Sequence, residues 1–133
     1  MAALYLDASA LVKLVQIEAE SAALQAYLVA HPSERKVTSV LSRTEVLRAV
    51  WAGGPAAQRQ AFTVLEQVEQ VALTRAVLDQ AGALLPGMRL RTLDAIHLAS
   101  ALALGGELRT LVTYDIRLGQ SAADVGLMAL APG

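Results

Sequence analysis

The chain has 133 residues, of which 55% are hydrophobic and 17% are charged, and it contains no cysteine. This length suits one domain with a single core, and the composition is far from that of a disordered protein. The lack of cysteine excludes disulfides, thiolate zinc sites and a thiol nucleophile. The net charge of −1 argues against a broadly basic nucleic-acid surface, so any such binding must be local or shared between subunits.

The apolar character of the chain does not indicate a membrane protein. No apolar run reaches the roughly 20 uninterrupted residues that a membrane-spanning helix needs. The first residues, 1–7 (MAALYLD), lack the basic region, apolar segment and cleavage site of a secretion signal. We therefore expect a cytoplasmic protein without membrane contact, with residues 1–133 in a single domain.

Short apolar runs alternate with longer segments of helical spacing along the whole chain. In chain order, we predict a strand at 3–6, helices at 9–15 and 21–30, a strand at 36–40, helices at 41–51 and 56–69, a strand at 71–73, helices at 75–85 and 92–104, a strand at 111–113, a helix at 115–123 and a strand at 127–130. Proline or glycine interrupts the chain between many of these segments: Pro32, Gly53-Gly54-Pro55, Pro86-Gly87 and Gly105-Gly106. The alternation predicts an α/β fold whose mostly parallel sheet of four to five strands has helices on both faces.

Four acidic residues stand where predicted strands end or predicted helices begin. One directly follows the strand at 3–6, one comes two residues after the strand at 111–113, and the other two lie near the first turns of the helices at 41–51 and 92–104. Because open α/β sheets bind ligands beyond the carboxyl ends of their strands, we expect these carboxylates to meet at that edge. They are Asp7, Glu45, Asp94 and Asp115. Clustered carboxylates repel one another without a cation, and Mg²⁺ and Mn²⁺ prefer oxygen ligands, so a divalent-metal site is predicted.

Each of these acids also suits an ordinary structural role. Asp7 and Asp115 precede helices and have the side chain of a favoured N-cap. Asp94 suits the positive end of its helix dipole, with Thr92 as the cap. Glu45 suits an ion pair with the arginine three residues later on the same helix. The spacing alone leaves both interpretations open.

Three polar neighbours of the acids have the same two interpretations. Ser9 and Thr113 are candidates to support the site by a hydrogen bond to a carboxylate, a metal-bound water or a phosphate, or they serve only to cap a helix and end a strand. His97 lies one helical turn after Asp94. A histidine on an apolar helix more often serves packing than catalysis.

The local sequence around the acids resembles the PIN domain family, and within it the VapC-type toxins of bacterial toxin–antitoxin pairs. The similar stretches follow the family's order and span nearly the whole chain: 4–13 (LYLDASALVK), 42–45 (SRTE), 91–99 (RTLDAIHLA) and 112–118 (VTYDIRL). The resemblance implies an α/β/α sandwich with an acidic Mg²⁺ or Mn²⁺ pocket at the sheet edge. It also implies ribonuclease activity on an RNA substrate and inhibition by a small cognate antitoxin. We further expect the chain to form a homodimer.

The resemblance assigns roles to the acids one by one. Asp7, Asp94 and Asp115 match metal ligands, and Glu45 is the candidate to accept a proton from the attacking water. Many family members carry a further acid three residues after the position of Asp115, where this chain has Leu118. The resemblance therefore supports one metal site rather than two. Hydrolysis by a metal-activated water predicts products with a 5′-phosphate and a 3′-hydroxyl, because the RNA 2′-oxygen takes no part.

Two further groups of residues have open interpretations. The basic residues nearest the acids in sequence either hold substrate phosphate or serve as ordinary surface charges: Lys13, Arg43 and Arg48. One apolar group is predicted to be core, with a homodimer or antitoxin groove as the alternative: Trp51, Phe62 and Leu65.

Three other classes of function are weighed against a ribonuclease. A phosphoacceptor receiver needs a late catalytic lysine, whereas the only lysines are Lys13 and Lys36. A nucleotide-binding oxidoreductase needs a glycine-rich turn after the first strand, and none is present. A PIN-like module that binds RNA or protein without cleavage remains the main alternative.

Overall fold

The computed structural model describes residues 1–84, 86 and 90–133. Within them, strands β1 to β5 are Ala3–Leu6, Arg35–Ser39, Glu69–Val71, Leu108–Val112 and Ala129–Leu130, and helices α1 to α7 are Ala8–Val15, Ser21–Ala30, Ser42–Val50, Gly54–Glu66, Arg75–Ala83, Thr92–Leu102 and Ile116–Asp124. The strands form one parallel sheet in the order β3-β2-β1-β4-β5. The predicted α/β/α sandwich with a parallel sheet is thereby confirmed. None of the helices in the described ranges is long and apolar enough to cross a membrane.

The central strand β1 supplies both hydrophobic layers because alternate side chains of a strand point to opposite faces. Leu4 and Leu6 pack with buried residues of α1, α2, α3 and α4. Ala3 and Tyr5 pack with buried residues of α6 and α7 on the other face. Burial on both faces explains why β1 is an unbroken apolar run that ends only at Asp7.

The strand order creates a crevice at the carboxyl edge of the sheet, which is the side where the parallel strands end. From β1 the chain adds β2 and β3 on one side, and it then crosses to add β4 and β5 on the other. The carboxyl ends of β1 and β4 therefore flank the point where the direction of winding reverses, which is the usual place for a ligand in such sheets. Asp7 directly follows β1, and Thr113 directly follows β4.

The third strand differs from its prediction, lying at Glu69–Val71 instead of 71–73. The predicted helix at 56–69 also ends earlier, at Glu66. Pairing with β2 sets this strand, in the register Val37↔Glu69 to Ser39↔Val71, and Arg35 forms an ion pair with Glu69 at 2.8 Å. A prediction from apolar residues alone therefore misplaced β3, because pairing with β2 determines which residues form this outer strand.

Smaller differences occur at other boundaries. The fourth strand begins earlier than predicted, at Leu108, and the fifth is shorter, at Ala129–Leu130. The segment 53–55, predicted only to separate two helices, instead begins α4, with Gly54 at φ 82° and Pro55 in the first turn. Proline is tolerated there because the first helical N–H groups have no acceptor within the helix. The predicted end of the helix at 75–85 falls on Leu85, which lies outside the described residues.

The predicted core group is correct only in part. Leu65 is fully buried, whereas Trp51 is 61% exposed and Phe62 is 43% exposed. The inward residues of α4 are Ala61, Val64 and Leu65, so Phe62 falls off that face of the helix. Trp51 begins a short 3₁₀ turn after α3, where the chain leaves the helix.

Candidate active site

Asp7 lies at the N-cap of α1 and is almost completely buried, with 4% of its surface exposed. Its Oδ1 accepts hydrogen bonds from the Ser9 hydroxyl at 2.7 Å and the Ala10 amide at 3.0 Å. Its Oδ2 accepts the Thr113 hydroxyl at 2.6 Å. Burial raises the pKa of Asp7, and the bonds from Ser9 and Thr113 offset that effect only in part. A carboxylate in this setting favours a nearby cation.

Asp115 lies at the N-cap of α7, one step along the same network. Its amide donates to Thr113 Oγ1 at 3.0 Å, so one hydroxyl links Asp115 to Asp7. Its Oδ1 accepts the amides of Arg117 and Leu118, which is the capping role considered from the sequence. Burial acts to raise the pKa of Asp115, but the hydrogen bonds that it accepts make the net shift downward.

Asp94 lies in the first turn of α6 and is 8% exposed. The expected Thr92 cap is wrong, because the helix begins at Thr92 and Arg91 holds the cap position without a side-chain hydrogen bond to the helix. The Arg91 guanidinium instead bridges two acids. Its Nε donates to Asp94 Oδ2 at 2.7 Å, and a terminal nitrogen donates to Asp115 Oδ2 at 2.6 Å.

Glu45 projects from α3 towards α6 and pairs with His97 rather than with Arg48. His97 Nε2 lies 2.6 Å from Glu45 Oε1, and His97 Nδ1 lies 2.8 Å from the Tyr5 hydroxyl. Because a carboxylate only accepts, Nε2 carries the proton towards Glu45, and in the neutral ring Nδ1 then accepts from Tyr5. Burial and the nearby Asp7 raise the pKa of Tyr5, which keeps this donor protonated. His97 is 3% exposed, so it acts from beneath the site.

Three of the four acids line one cavity of about 290 Å³, together with Arg91, Thr92 and Leu93: Glu45, Asp94 and Asp115. Asp7 is not among the described lining residues, and it is linked to Asp115 through Thr113. The structure thus brings together carboxylates from α3, α6 and the start of α7, and connects the carboxylate at the end of β1 to them by hydrogen bonds. It also places the predicted supporting residues, Ser9 and Thr113, on the buried carboxylate.

Two of the candidate phosphate-binding residues, Lys13 and Arg48, are not among the described residues that line the acidic cavity. The Lys13 ammonium is 3.2 Å from Glu18 and 2.8 Å from Glu20, and it stacks over the Tyr114 ring at 4.9 Å. These contacts hold it at the junction of α1 and α2. Arg48 is exposed and lines a second cavity of about 530 Å³ with Thr44, Leu47 and Trp51.

Comparison with known proteins identifies the family. Residues 4–124 match the sequence model of the PIN domain. The chain belongs to the PIN domain family. It is 47% identical to ribonuclease VapC46 of Mycobacterium tuberculosis over 99% of both chains, and 41% identical to ribonuclease VapC35 of the same species over 98% of this chain and 97% of the relative. The resemblance to VapC-type proteins expected from the four motifs is confirmed.

Solved structures share the fold at lower sequence identity. The crystal structure of M. tuberculosis VapC20, described as a toxin that cleaves the sarcin–ricin loop, has a TM-score of 0.74 at 18% identity, with 98% of this chain and all of that chain covered. A toxin–antitoxin complex from Klebsiella pneumoniae has a TM-score of 0.74 at 20% identity, covering 99% of this chain and 98% of that chain. These likenesses concern the fold of the PIN domain.

The PIN domain family implies a bound divalent ion, and the side chains at the site decide whether such an ion fits. Within residues 1–84, 86 and 90–133, no three Asp, Glu or His side chains are grouped closely enough to hold an ion as they stand. Arg91 lies between Asp94 and Asp115. The donor set nevertheless fits Mg²⁺ or Mn²⁺, because it consists of carboxylate and hydroxyl oxygens without sulfur. The position of Arg91 also shows that the paired carboxylates attract a cation.

Sequence reasoning missed two features of the site. Arg91 was noted only as part of a motif, although an arginine three residues before an acid at a helix start is a recognisable signal for an ion pair. The link from Tyr5 through His97 to Glu45 left a weaker signal, a histidine on an apolar helix. Leu118, where many relatives carry an acid, is 1% exposed and packs in the core between α6 and α7, so its side chain adds no ligand.

Proposed function

We propose that this chain is a divalent-metal-dependent endoribonuclease that acts as the toxin of a toxin–antitoxin pair. The observation that carries the proposal is the cavity lined by Glu45, Asp94 and Asp115, with Asp7 linked to it through Thr113. Full-length relatives named ribonuclease VapC support the same activity.

Asp7, Asp94 and Asp115 would hold Mg²⁺ or Mn²⁺ in this proposal. The ion, when bound, lowers the pKa of a coordinated water and neutralises charge on the phosphate. Ser9 and Thr113 fix the orientation of the Asp7 carboxylate through the hydrogen bonds already described. Arg91 would have to leave its place between Asp94 and Asp115, and the three carboxylates would have to move closer together.

Glu45 would accept the proton from the attacking water. Its carboxylate lines the cavity, and His97, braced by Tyr5, holds one of its oxygens. Among residues 1–84, 86 and 90–133, no hydrogen bond reaches the other oxygen, which would face the water as a general base beside the ligands without being one of them. Attack by water leaves a 5′-phosphate and a 3′-hydroxyl on the RNA.

The proposed partners are an RNA substrate, a small cognate antitoxin and a second copy of this chain, in the cytoplasm. The K. pneumoniae neighbour, a toxin–antitoxin complex, supports the antitoxin. A specific observation favours a second candidate, a PIN domain that binds RNA without cleaving it: Arg91 stands where a shared ion would bridge Asp94 and Asp115.

The two candidates separate in a cleavage assay on bacterial RNA with Mg²⁺, with Mn²⁺ and with EDTA. We expect metal-dependent cleavage by the wild type and a loss of at least about 100-fold in Asp94→Asn. The matched control is Glu107→Gln, which changes an exposed acid that is also ion-paired with an arginine, at the opposite edge of the sheet. It should cleave like the wild type.

Several outcomes would contradict the proposal. Cleavage that persists in EDTA, or RNA ends that carry a 2′,3′-cyclic phosphate, would exclude a metal-activated water. Equal cleavage by wild type and a folded Asp94→Asn would indicate a contaminating nuclease. Induced expression in bacteria tests the toxin role, because wild type should arrest growth and Asp94→Asn should not.

A further inference from the structure

The Arg91 side chain is the feature of the site that the proposed roles of the acids leave unexplained. It is half exposed, at 49%, yet it makes hydrogen bonds of 2.7 Å and 2.6 Å to two acids on different elements. The Asp94 side chain is 11% exposed, and the Asp115 side chain is 33% exposed. A guanidinium presents several donors in a rigid plane, which suits two carboxylates at once.

Charge explains why this arginine lies between the acids. Asp94 and Asp115 project from different elements towards the same cavity, which Glu45 also lines, and their charges repel when no cation intervenes. Arg91 is the basic residue of the described cavity lining. Its guanidinium therefore offsets the charge of both carboxylates.

A divalent ion at this site would compete with the same guanidinium. Arg91 occupies Oδ2 of both Asp94 and Asp115, and carboxylate oxygens are the ligands that Mg²⁺ and Mn²⁺ would take. Like charges would also repel at this distance. Arg91 and the metal must therefore compete for one pair of carboxylates.

Once displaced from the two carboxylates, the Arg91 guanidinium would be free to bind a phosphate of the RNA. Its side chain stands at the rim of the cavity, and a ribonuclease must bring an RNA phosphate to a cleft lined by carboxylates that repel it. Arginine binds phosphate in the same two-pronged manner as carboxylate. Lys13, one of the three cations predicted to hold substrate phosphate, is ion-paired with Glu18 and Glu20.

We propose that Arg91 is an exchangeable counter-cation: it bridges Asp94 and Asp115 in the metal-free protein, yields them to the divalent ion, and then binds an RNA phosphate beside the site. This inference rests on the proposed function, since it needs both a metal and an RNA. It makes Arg91 a determinant of metal affinity and of substrate binding in opposite directions.

The test measures Mn²⁺ affinity by electron paramagnetic resonance in the absence of RNA. In Arg91→Gln the competitor is gone, so Mn²⁺ should bind about tenfold more tightly than in wild type. Arg91→Lys keeps the charge but loses the planar fork, so its Mn²⁺ affinity should lie between the two. The control is Arg109→Gln, which removes an exposed arginine that is ion-paired with Glu34 at the opposite edge of the sheet, and it should match wild type.

A second measurement follows the RNA. With Mn²⁺ saturating, binding of a phosphorothioate-substituted, mixed-sequence RNA oligonucleotide should weaken about tenfold in Arg91→Gln.

A third measurement uses thermal melts. In EDTA the Arg91→Gln variant should unfold at a lower temperature than wild type, and Mn²⁺ should raise the melting temperature of the variant by more than it raises that of wild type. A purely structural ion pair would lower stability without tightening Mn²⁺.

The outcomes separate this inference from the proposed function. Unchanged or weaker Mn²⁺ binding in Arg91→Gln overturns the exchange, and unchanged RNA binding overturns the phosphate role, even if wild type cleaves RNA with metal. Mn²⁺ binding by Arg91→Gln but not by wild type supports the exchange. Absence of Mn²⁺ binding by every variant overturns both the exchange and the metal-dependent function.

Discussion

The amino edge of the sheet, where the parallel strands begin, and the carboxyl edge, where they end, carry similar ion pairs in different surroundings. At the amino edge Arg35 bridges Glu69 and Glu107 at 2.8 Å and 2.6 Å, as Arg91 bridges Asp94 and Asp115 at the carboxyl edge. The glutamate side chains at the amino edge are 55% and 49% exposed, whereas the side chains of Asp94 and Asp115 are 11% and 33% exposed. Water therefore screens the first pair of acids, while the second depends on its cation.

The balance of charge differs even more than the burial. In the described residues, the ion pairs of the amino edge join three cations, Arg35, Arg109 and the N-terminal amine, to three acids, Glu34, Glu69 and Glu107. At the carboxyl edge, in the part of the chain that the structure describes, one guanidinium pairs with two of the four candidate acids, Asp94 and Asp115. An arginine bridge alone does not indicate function. An excess of partly or fully buried carboxylates near it indicates a site for a further cation.

The largest expected effect comes from removing one acid at each edge. Asp115→Asn should lower RNA cleavage by at least about 100-fold, because a neutral amide is a poor ligand for a divalent ion. Glu69→Gln, which breaks the matching ion pair at the amino edge, should leave the rate of cleavage unchanged. Initial rates at saturating Mg²⁺, with circular dichroism to check folding, measure both. A similar loss in both variants would erase the distinction between the edges.

A second prediction separates ligand from base within the carboxyl edge. Glu45→Gln should lower the rate of cleavage by about 100-fold, as for the loss of a general base, while Mn²⁺ affinity changes little. Asp94→Asn should lower both quantities. Isothermal titration with Mn²⁺ beside single-turnover cleavage distinguishes the two roles. Loss of Mn²⁺ binding in Glu45→Gln would instead make Glu45 a metal ligand.

A third prediction concerns the support beneath the site. His97→Leu should lower the free energy of unfolding by about 1–3 kcal/mol, because Tyr5 loses a buried hydrogen-bond partner and Glu45 loses its donor. Tyr5→Phe removes only one of the two bonds and should cost about 1 kcal/mol. Urea denaturation measures both variants. A His97→Leu protein as stable as wild type would show that this chain of bonds is not structural.

The smallest effect is expected from Asp7→Asn in metal-free protein. Burial raises the pKa of Asp7, so the folded state favours its protonated form, and stability is lost as pH rises through that raised pKa. The amide avoids the charge and can still cap α1, so the variant should melt at a higher temperature than wild type at neutral pH in EDTA. The difference should vanish at acidic pH, where Asp7 is protonated. A variant that melts lower at neutral pH would mean that the ionised carboxylate stabilises the fold.

Much of this protein follows from short-range pattern. Alternating apolar runs and helical segments, with proline and glycine between them, predicted the parallel α/β sandwich, because periodicity and turn chemistry act over a few residues. The expectation that four acids at strand ends and helix starts lie near one edge followed from the same pattern, since parallel strands share an edge. Three of the four, Glu45, Asp94 and Asp115, do line one cavity, while their roles in metal binding and catalysis stay predictions.

Errors at particular residues show where local pattern fails. Trp51 and Phe62 are as apolar as core residues, but the face that each presents depends on where a helix ends and on which side it packs. The third strand moved to Glu69–Val71 because pairing with β2 overrode the apolar run that follows. The contact that decides the third strand joins Val37 and Glu69, which lie far apart along the chain.

The sequence by itself determined the order of elements, the family and the residues that carry charge at the strand ends. Only the tertiary structure decided how those charges are balanced. The contacts that do so join residues 24, 52 and 92 positions apart, in the Arg91–Asp115, Glu45–His97 and Tyr5–His97 pairs. Such contacts depend on the packing of whole helices against the sheet, to which the local periodicity of the sequence gives no direct access.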